Sequence, residues 1–394
     1  MRSSIIAGVS FDLLDAASRL APRVRELAEE TEAERRLPSE LVQTFGEAGL
    51  WRACVPEGAG GIEVWNLNDL LAQFRELSAA DGSAGWCAMI GATSGLIYAY
   101  LDPAVARDIV EADSGFCTGG VFAPSGRAVP ADGGWRVSGR WTFASGCQHS
   151  TWLGLGVVMM DGDDVRSLPN GTPDVRGVLV PGSDIEILDT WYVSGLRGTG
   201  SHDVVAHDVF VPEERTYRLI GGTPKAEGTL YAFPVFGLLA LGVASVALGI
   251  ARGAIDELVA LATQKTPSGS RRRLADRAFV QMEVAQAEAE LLAAEAFIIN
   301  ELGLTWDEAE EGSRPDVAAR ARLRLAATHA TRTAARVVDR MYDAGGGTSI
   351  YATSRLQRAF RDVHAATQHM VVAPATFELA GRVLLGVEVD VSQL

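Results

Sequence analysis

Two large rings, Trp141 and Phe143, stand beside two hydroxyls, Thr142 and Ser145, within the segment Gly133 to Cys147 (GGWRVSGRWTFASGC). Aromatic faces hold a planar heterocycle by dispersion, and hydroxyls answer its polar edge. The residues ahead of the cluster read as a hairpin. Gly133 and Gly134 permit a tight turn, and Trp135, Val137 and Gly139 then alternate with Arg136, Ser138 and Arg140 as in a half-buried strand. The alternation stops at Trp141, which suggests a pocket, although the same residue types also suit an ordinary sheet. A second cluster, Arg271, Arg272 and Arg273, follows PSGS at a helix start, where guanidinium groups and free amides suit an anion as well as they suit a solvated basic face. The run Ala344 to Thr348 (AGGGT) reads by itself as a helix stop with a flexible turn. His364 and His369 are separated by about 140° on a helix, so they do not share a face.

The elements that must position these groups fall into three regions. From Leu13 to Glu111, apolar residues recur at helical spacing, in LLDAASRLAPRVRELAEETEAERR, in PSELVQTFGEAGL, and over Leu70 to Leu77 and Ala84 to Leu101. From Gly115 to Tyr217, short apolar runs alternate with glycine, proline and aspartate, as in GVLVPGSDIEIL and HDVVAHDVFVP, which predicts strands. Four long helices are then expected over Ala232 to Gln264, Leu274 to Leu302, Pro315 to Ala344 and Arg355 to Leu385. The expected division is 1–113, an N-terminal helical domain; 114–225, a central β-domain; and 226–394, a C-terminal four-helix bundle.

The 394 residues are 47% apolar and can bury a large core. A net charge of −15 argues against nucleic acid or an anionic membrane as partner. The four cysteines, Cys54, Cys87, Cys117 and Cys147, form no CxxC pair, so neither a metal site nor a disulfide framework is expected, and the N-terminus has no secretory pattern. A cytoplasmic setting follows. The uncharged run FPVFGLLALGVASVALGIA meets the ~20-residue length of a membrane span. Its recurring small residues and the amphipathic ARGAIDELVALA that follows favour a buried core helix instead.

Cys117 to Ala128 (CTGGVFAPSGRA), the hairpin and its pocket, and Thr190 to Ser201 (TWYVSGLRGTGS) together resemble the acyl-CoA dehydrogenase superfamily, and within it the group D flavin-dependent monooxygenases. The resemblance runs from about Asp12 to Val387. It implies a mostly α fold with a middle β-barrel, and a flavin lying between that barrel and the bundle. It assigns Trp141, Phe143 and Ser145 to the ring's wall and N5 edge, with Phe116 and Thr118 on the preceding strand. Arg271, Gln281, Gly345 and Gly346 would hold the cofactor of a neighbouring subunit, which implies an oligomer, and a homotetramer is expected. His369 would contact substrate and act as base. Several relatives carry a further histidine where this chain has Thr93 and Ser94, so these hydroxyls are expected at the substrate, and indoles or amines join phenols as candidate substrates.

The activity implied is that of an oxygenase component. Reduced FMN or FAD from a separate reductase would react with O2, and the resulting C4a-hydroperoxyflavin would hydroxylate an aromatic or heteroaromatic small molecule. No NAD(P)H fingerprint is present, since GLRGTGS (195–201) has the wrong glycine spacing and precedes a strand. The alternatives are an N-oxygenase acting on an amine or amino sugar, an acyl-CoA dehydrogenase with bound FAD, and a scaffold without cofactor. The dehydrogenase reading lacks its base: eight residues beyond the pair Arg361 and Asp362 stands Met370, whose thioether takes no proton, and Glu378 lies further on.

Overall fold

The computed structural model describes residues 5–394 apart from 7, 8, 11, 63, 65, 313, 389 and 393. A short strand pair, β1 (Ile5–Ile6) and β2 (Val9–Ser10), precedes six helices: α1 (Leu13–Glu26), α2 (Ala28–Glu34), α3 (Ser39–Glu47), α4 (Leu67–Ala80), α5 (Gly82–Ser94) and α6 (Pro103–Ala112). Local chemistry sets their starts. Asp12, Asp81 and Asp102 each accept a backbone N–H of the following first turn, and Pro103 occupies the first helical position of α6. The expected helix from Ala84 to Leu101 ends early as an α-helix, at Ser94, and continues as a tighter 3-10 segment over Gly95–Tyr100.

Strands β3 (Thr118–Ala131), β4 (Gly134–Ala144), β5 (Trp152–Asp161), β6 (Asp164–Val165), β7 (Val175–Pro181), β8 (Glu186–Leu188), β9 (His202–Pro212) and β10 (Thr216–Tyr217) follow. They form one sheet in the order β10-β7-β5-β3-β4-β9-β8, with β6 paired to β5. The β-domain is thus a sheet whose path has two ends, not a ring of hydrogen bonds, among the described residues. Its pairs are antiparallel except β3 with β5. The β3–β4 hairpin turns at Gly133, whose φ of 74° needs glycine. Trp135, Val137 and Trp141 of β4 join Leu153, Leu155, Val157, Val178, Val180 and Val204 in one buried cluster.

After α7 (Thr229–Ala232) come the long helices α8 (Val235–Gln264), α9 (Ala278–Glu310) and α10 (Val317–Gly345). The fourth long helix expected from the sequence is broken in two, α11 (Arg355–Ala366) and α12 (Ala375–Leu384), separated by a turn and a 3-10 segment at Met370–Val372. Pro374 explains the restart, because a proline lacks the N–H that a continuous helix would use and displaces the preceding residue from helical geometry. His369 therefore lies in a turn and not on a helix face. Helix α8 is long and apolar enough to cross a membrane, yet 78% of its most apolar window is buried inside the protein. It packs on α4, α5, α9, α10 and α11, and a single apolar core joins the N-terminal helices to the bundle.

Candidate active site

Four elements converge on Ser145. The end of β4 delivers it, α5 contributes Trp86, the loop between β8 and β9 contributes Thr199 and Ser201, and the turn after α11 contributes His369. Trp86 Nε1 donates to Ser145 Oγ at 3.1 Å. Ser145 Oγ and Ser201 Oγ are 2.7 Å apart, as are Ser201 Oγ and Thr199 Oγ1, and Thr199 Oγ1 donates to the Leu196 carbonyl at 2.8 Å. The His369 ring meets Trp86 edge to face at 5.6 Å.

A bulge in β4 shapes the open side. Pairing with β9 shifts between Trp141 and Ala144, and Phe143 adopts φ 64°, a left-handed conformation disfavoured for any side chain but glycine's hydrogen. Its ring is 69% exposed and meets Trp191 edge to face at 6.0 Å. The Phe143 ring is thus held in solvent at a backbone cost, beside the inward hydroxyl of Ser145. A flat ring system with a polar edge fits the donor set: Phe143 and Trp191 offer aromatic surface, and Ser145 offers a hydroxyl.

The loop that carries Thr199 and Ser201 is fastened from behind. Asp362 of α11 accepts Leu196 N–H at 2.6 Å, Arg361 Nη1 donates to the Ser194 carbonyl at 2.5 Å, and Trp191 Nε1 donates to the Leu196 carbonyl at 3.1 Å. Gly195 is needed here, since a Cβ would run into the Arg361 carbonyl. Burial, reinforced by the neighbouring Asp81, pushes the Asp362 carboxyl up to about 7, against the pull of the Leu196 N–H and Arg361. Glu32 balances this corner by pairing with Arg358 at 2.7 Å and Arg361 at 2.6 Å.

Burial, with Arg324 adding to it, pushes His369 down to about 4, so its ring is neutral at pH 7. Val371 N–H points at His369 Nδ1 at 3.4 Å, which assigns the ring proton to Nε2. None of the groups bonded to or stacked on Trp86, Ser145, Ser201 and His369 is a carboxylate. Met370 is exposed, and Glu378 faces solvent beside Arg382. Burial pushes the thiols of Cys117 and Cys147 up to about 12, which removes them as nucleophiles. Among the described residues no cluster of metal-ligating side chains occurs.

The structure sorts the residues expected at the site. Ser145 and His369 both contact Trp86, and Phe143 stands two residues before Ser145 at the bulge. Trp141 does not join them: it is wholly buried, its indole N–H bonds the Gly156 carbonyl at 2.7 Å, and its ring fills the space that Gly126 and Gly139 leave open. A ring enclosed in the sheet interior offers no face to a ligand; the aromatic partner of Phe143 at the surface is Trp191. Phe116 and Thr118 also turn into core, Phe116 against Tyr98 at 5.3 Å and Thr118 Oγ1 to Tyr98 OH at 2.8 Å, so only their backbone can serve a cofactor. Thr93 and Ser94 are buried two turns beyond Trp86 on α5, and the Thr93 hydroxyl already donates to the Met89 carbonyl at 2.8 Å. His364 pairs with Asp339 at 2.8 Å, away from His369.

Arg271, Gln281, Gly345 and Gly346 gather at the far end of the bundle. Lys265 Nζ donates to the Gly345 carbonyl at 2.8 Å, Leu274 N–H to the Lys265 carbonyl, and Gln281 Nε2 to the Ala275 carbonyl at 2.9 Å; Arg271 is exposed. Ile250 of α8 packs near Gly82 and Asp362, and from Ile250 to Lys265 the helix rises roughly 22 Å at 1.5 Å per residue. Trp86, Trp191, Thr199, Ser201 and Asp362 are members that sequence reasoning did not assign to the site. Thr199 and Ser201 carried a faint signal, two hydroxyls with strand spacing just ahead of β9.

Comparison with known proteins places this geometry among relatives. Residues 13–108 match the sequence model described as acyl-CoA dehydrogenase, N-terminal domain, and residues 241–374 that described as acyl-CoA dehydrogenase, C-terminal domain. The chain is 32% identical to indole-3-acetate monooxygenase of Pseudomonas putida, over 98% of this chain and 95% of that one. It is 30% identical to the flavin-dependent monooxygenase oxygenase subunit HsaA of Mycobacterium tuberculosis, over 92% of each. The crystal structure of 3-HSA hydroxylase from Rhodococcus sp. RHA1 superposes with a TM-score of 0.88 at 27% identity, covering 97% of this chain and 99% of that one.

Proposed function

The chain belongs to the acyl-CoA dehydrogenase family, in its flavin-dependent monooxygenase branch, and on that footing we propose how its own residues run the reaction and on what class of substrate. It is the oxygenase component of a flavin-dependent monooxygenase, using reduced FMN or FAD with O2 to hydroxylate an aromatic or heteroaromatic small molecule. The reduced flavin, when bound, supplies the electrons that split O2 between the product and water.

Ser145 holds the polar edge of the ring, and Phe143 with Trp191 lines its face. His369 presents Nε2–H toward the substrate from a dry pocket wall shared with Trp86, and so orients a phenolic or indolic ring by donating a hydrogen bond. Its depressed pKa makes it a poor proton acceptor, so positioning outweighs general base catalysis in its role. Thr93 and Ser94 line the deeper end of the substrate space along α5. An indole-like substrate suits this apolar site, and the similarity to an indole-3-acetate monooxygenase supports that choice.

The phosphate end of the cofactor is assigned to Arg271, Gln281, Gly345 and Gly346 of a neighbouring subunit, residues that gather at the end of α8 remote from the Gly82–Asp362 corner. A homotetramer answers that requirement, and α9 leaves Phe279, Met282, Leu292 and Ile299 exposed for such contacts. A separate reductase provides the reduced flavin. The four buried, unpaired cysteines support a cytoplasmic placement.

The observation that carries the reading is the hydroxyl cluster at Ser145 closed by a neutral histidine, with no carboxylate beside it. The test is product formation from anaerobically reduced flavin, the protein and indole-3-acetate or a phenol, mixed with labelled O2. One labelled oxygen atom in the product, with Ser145→Ala and His369→Ala each yielding less product per flavin oxidised, is the expected result. Anaerobic bleaching of bound flavin by an acyl thioester, with no oxygen incorporated, would overturn it.

A further inference from the structure

We infer that Ser201 and Thr199 fix the direction of the Ser145 hydroxyl so that Ser145 presents an acceptor, and thereby make this site selective for the reduced form of the flavin ring. The inference rests on the flavin reading above and gives Thr199 and Ser201 a task of their own within it.

The direction follows from the two ends of the hydrogen-bonded chain. An indole N–H can only donate and a carbonyl oxygen can only accept. At one end, Trp86 Nε1 donates to Ser145 Oγ; at the other, Thr199 Oγ1 lies 2.8 Å from the Leu196 carbonyl and must supply the hydrogen there. With its single hydrogen so committed, Thr199 accepts from Ser201 across 2.7 Å. Ser201 in turn has no hydrogen left, so Ser145 donates to it across 2.7 Å. Any other arrangement leaves two oxygens in contact with no hydrogen between them, in surroundings where Ser145, Ser201 and Thr199 are all buried. The Leu196 carbonyl is held in place for this task by Asp362, which binds the same residue's N–H, and by Trp191.

Ser145 thus keeps one lone pair and no hydrogen for a ligand. Reduction adds an N–H to the central ring of a flavin, and the oxidised ring has a bare nitrogen acceptor at the same edge. A donor meets the Ser145 lone pair; a bare acceptor meets it in repulsion unless the chain of hydroxyls is broken. A protein that must collect reduced flavin from another protein and release the oxidised product gains from such a filter.

The test compares the dissociation constants of reduced and oxidised FMN, measured anaerobically by fluorescence titration, for the wild type, Ser201→Ala, Thr199→Val and Thr199→Ser. In Ser201→Ala the Ser145 hydrogen is released, and in Thr199→Val the Ser201 hydrogen is free to turn toward Ser145, so Ser145 can donate in both. The preference for the reduced form is expected to fall on the order of tenfold in both variants, mainly through tighter binding of oxidised FMN. The midpoint potential of bound flavin then falls by ~30 mV for each tenfold loss of preference. Thr199→Ser keeps the hydroxyl and the wild-type preference. A misfolded variant fails to bind either form, whereas loss of the filter strengthens one of them, so the potential and the ratio separate the two. An unchanged ratio in both Ser201→Ala and Thr199→Val, or a wild type without preference, overturns the inference. Failure of the wild type to bind flavin in either state overturns the cofactor reading instead.

Discussion

Trp141 and Phe143 stand two positions apart on β4, and the bulge between them gives one to the core and the other to the surface. Substituting each alone separates these duties. Trp141→Ala is expected to cost about 3–5 kcal/mol of stability, the range for a buried indole, read from urea denaturation. Phe143→Gly removes an exposed ring and relieves a left-handed backbone, so unfolding stays within about 1 kcal/mol of the wild type while flavin affinity falls. The parity of β4 carries only half of this distinction: Trp135, Val137, Gly139 and Trp141 lie in one phase, so Trp141 continues the buried face, but Phe143 shares that phase and is turned out by the bulge alone, so the alternation breaks two residues later than the sequence reading put it. His369 gives a second test at this scale. If its Nε2–H orients the substrate, His369→Gln retains more coupled product than His369→Ala, and the wild-type profile shows no histidine ionisation between pH 5 and pH 8. Equal loss in both variants, with an acid limb near the ordinary histidine value of ~6.5, would restore a titrating base.

At the scale of elements, α11 holds the 194–201 loop through Asp362, and that carboxyl lies among Asp81 at the start of α5, Glu32 of α2, and Arg355, Arg358 and Arg361 of its own helix. Its folded pKa of about 7 is raised above the unfolded value, so the folded chain binds the extra proton. That contribution to stability is complete below the unfolded value of ~3.9 and is lost as pH rises through 7. Asp362→Asn keeps the acceptor for Leu196 N–H and removes the charge. Its urea midpoint should therefore gain on the wild type between pH 5 and pH 8, and a gap that does not change with pH would refute the assignment.

Elements were the level best read from sequence, because helical spacing and strand alternation are local properties. The starts and stops of α8 and α10 lie within three residues of those expected from periodicity and glycine signals, whereas α9 begins four residues later and ends eight residues later than expected, at Ala278 and Glu310. Two features were not legible. The break at His369 depends on a proline five residues downstream, in a stretch whose apolar spacing continues through it. The partnership of Trp86, Ser145 and Ser201 joins three distant segments, and nothing in any one of them announces the other two.

On the scale of the whole molecule, the proposed division of the cofactor site between subunits makes the oligomeric state its test. Light scattering should report a tetramer, and Phe279→Glu with Met282→Glu on the exposed side of α9 should yield smaller species with weaker flavin binding. Full flavin affinity in a monomeric variant would sink the shared-site arrangement. Helix α8 has a further consequence, set by the order of synthesis. The mean hydropathy of 2.0 over its most apolar eighteen residues favours burial under its neighbours, and α10, a principal one, is completed at residue 345. Until α10 is made, the face of α8 that it covers has no partner, although α4 and α5, translated earlier, already pack on the helix. Fragments ending before Val317 are therefore expected to be less soluble than the full chain, which the soluble fraction after expression would report.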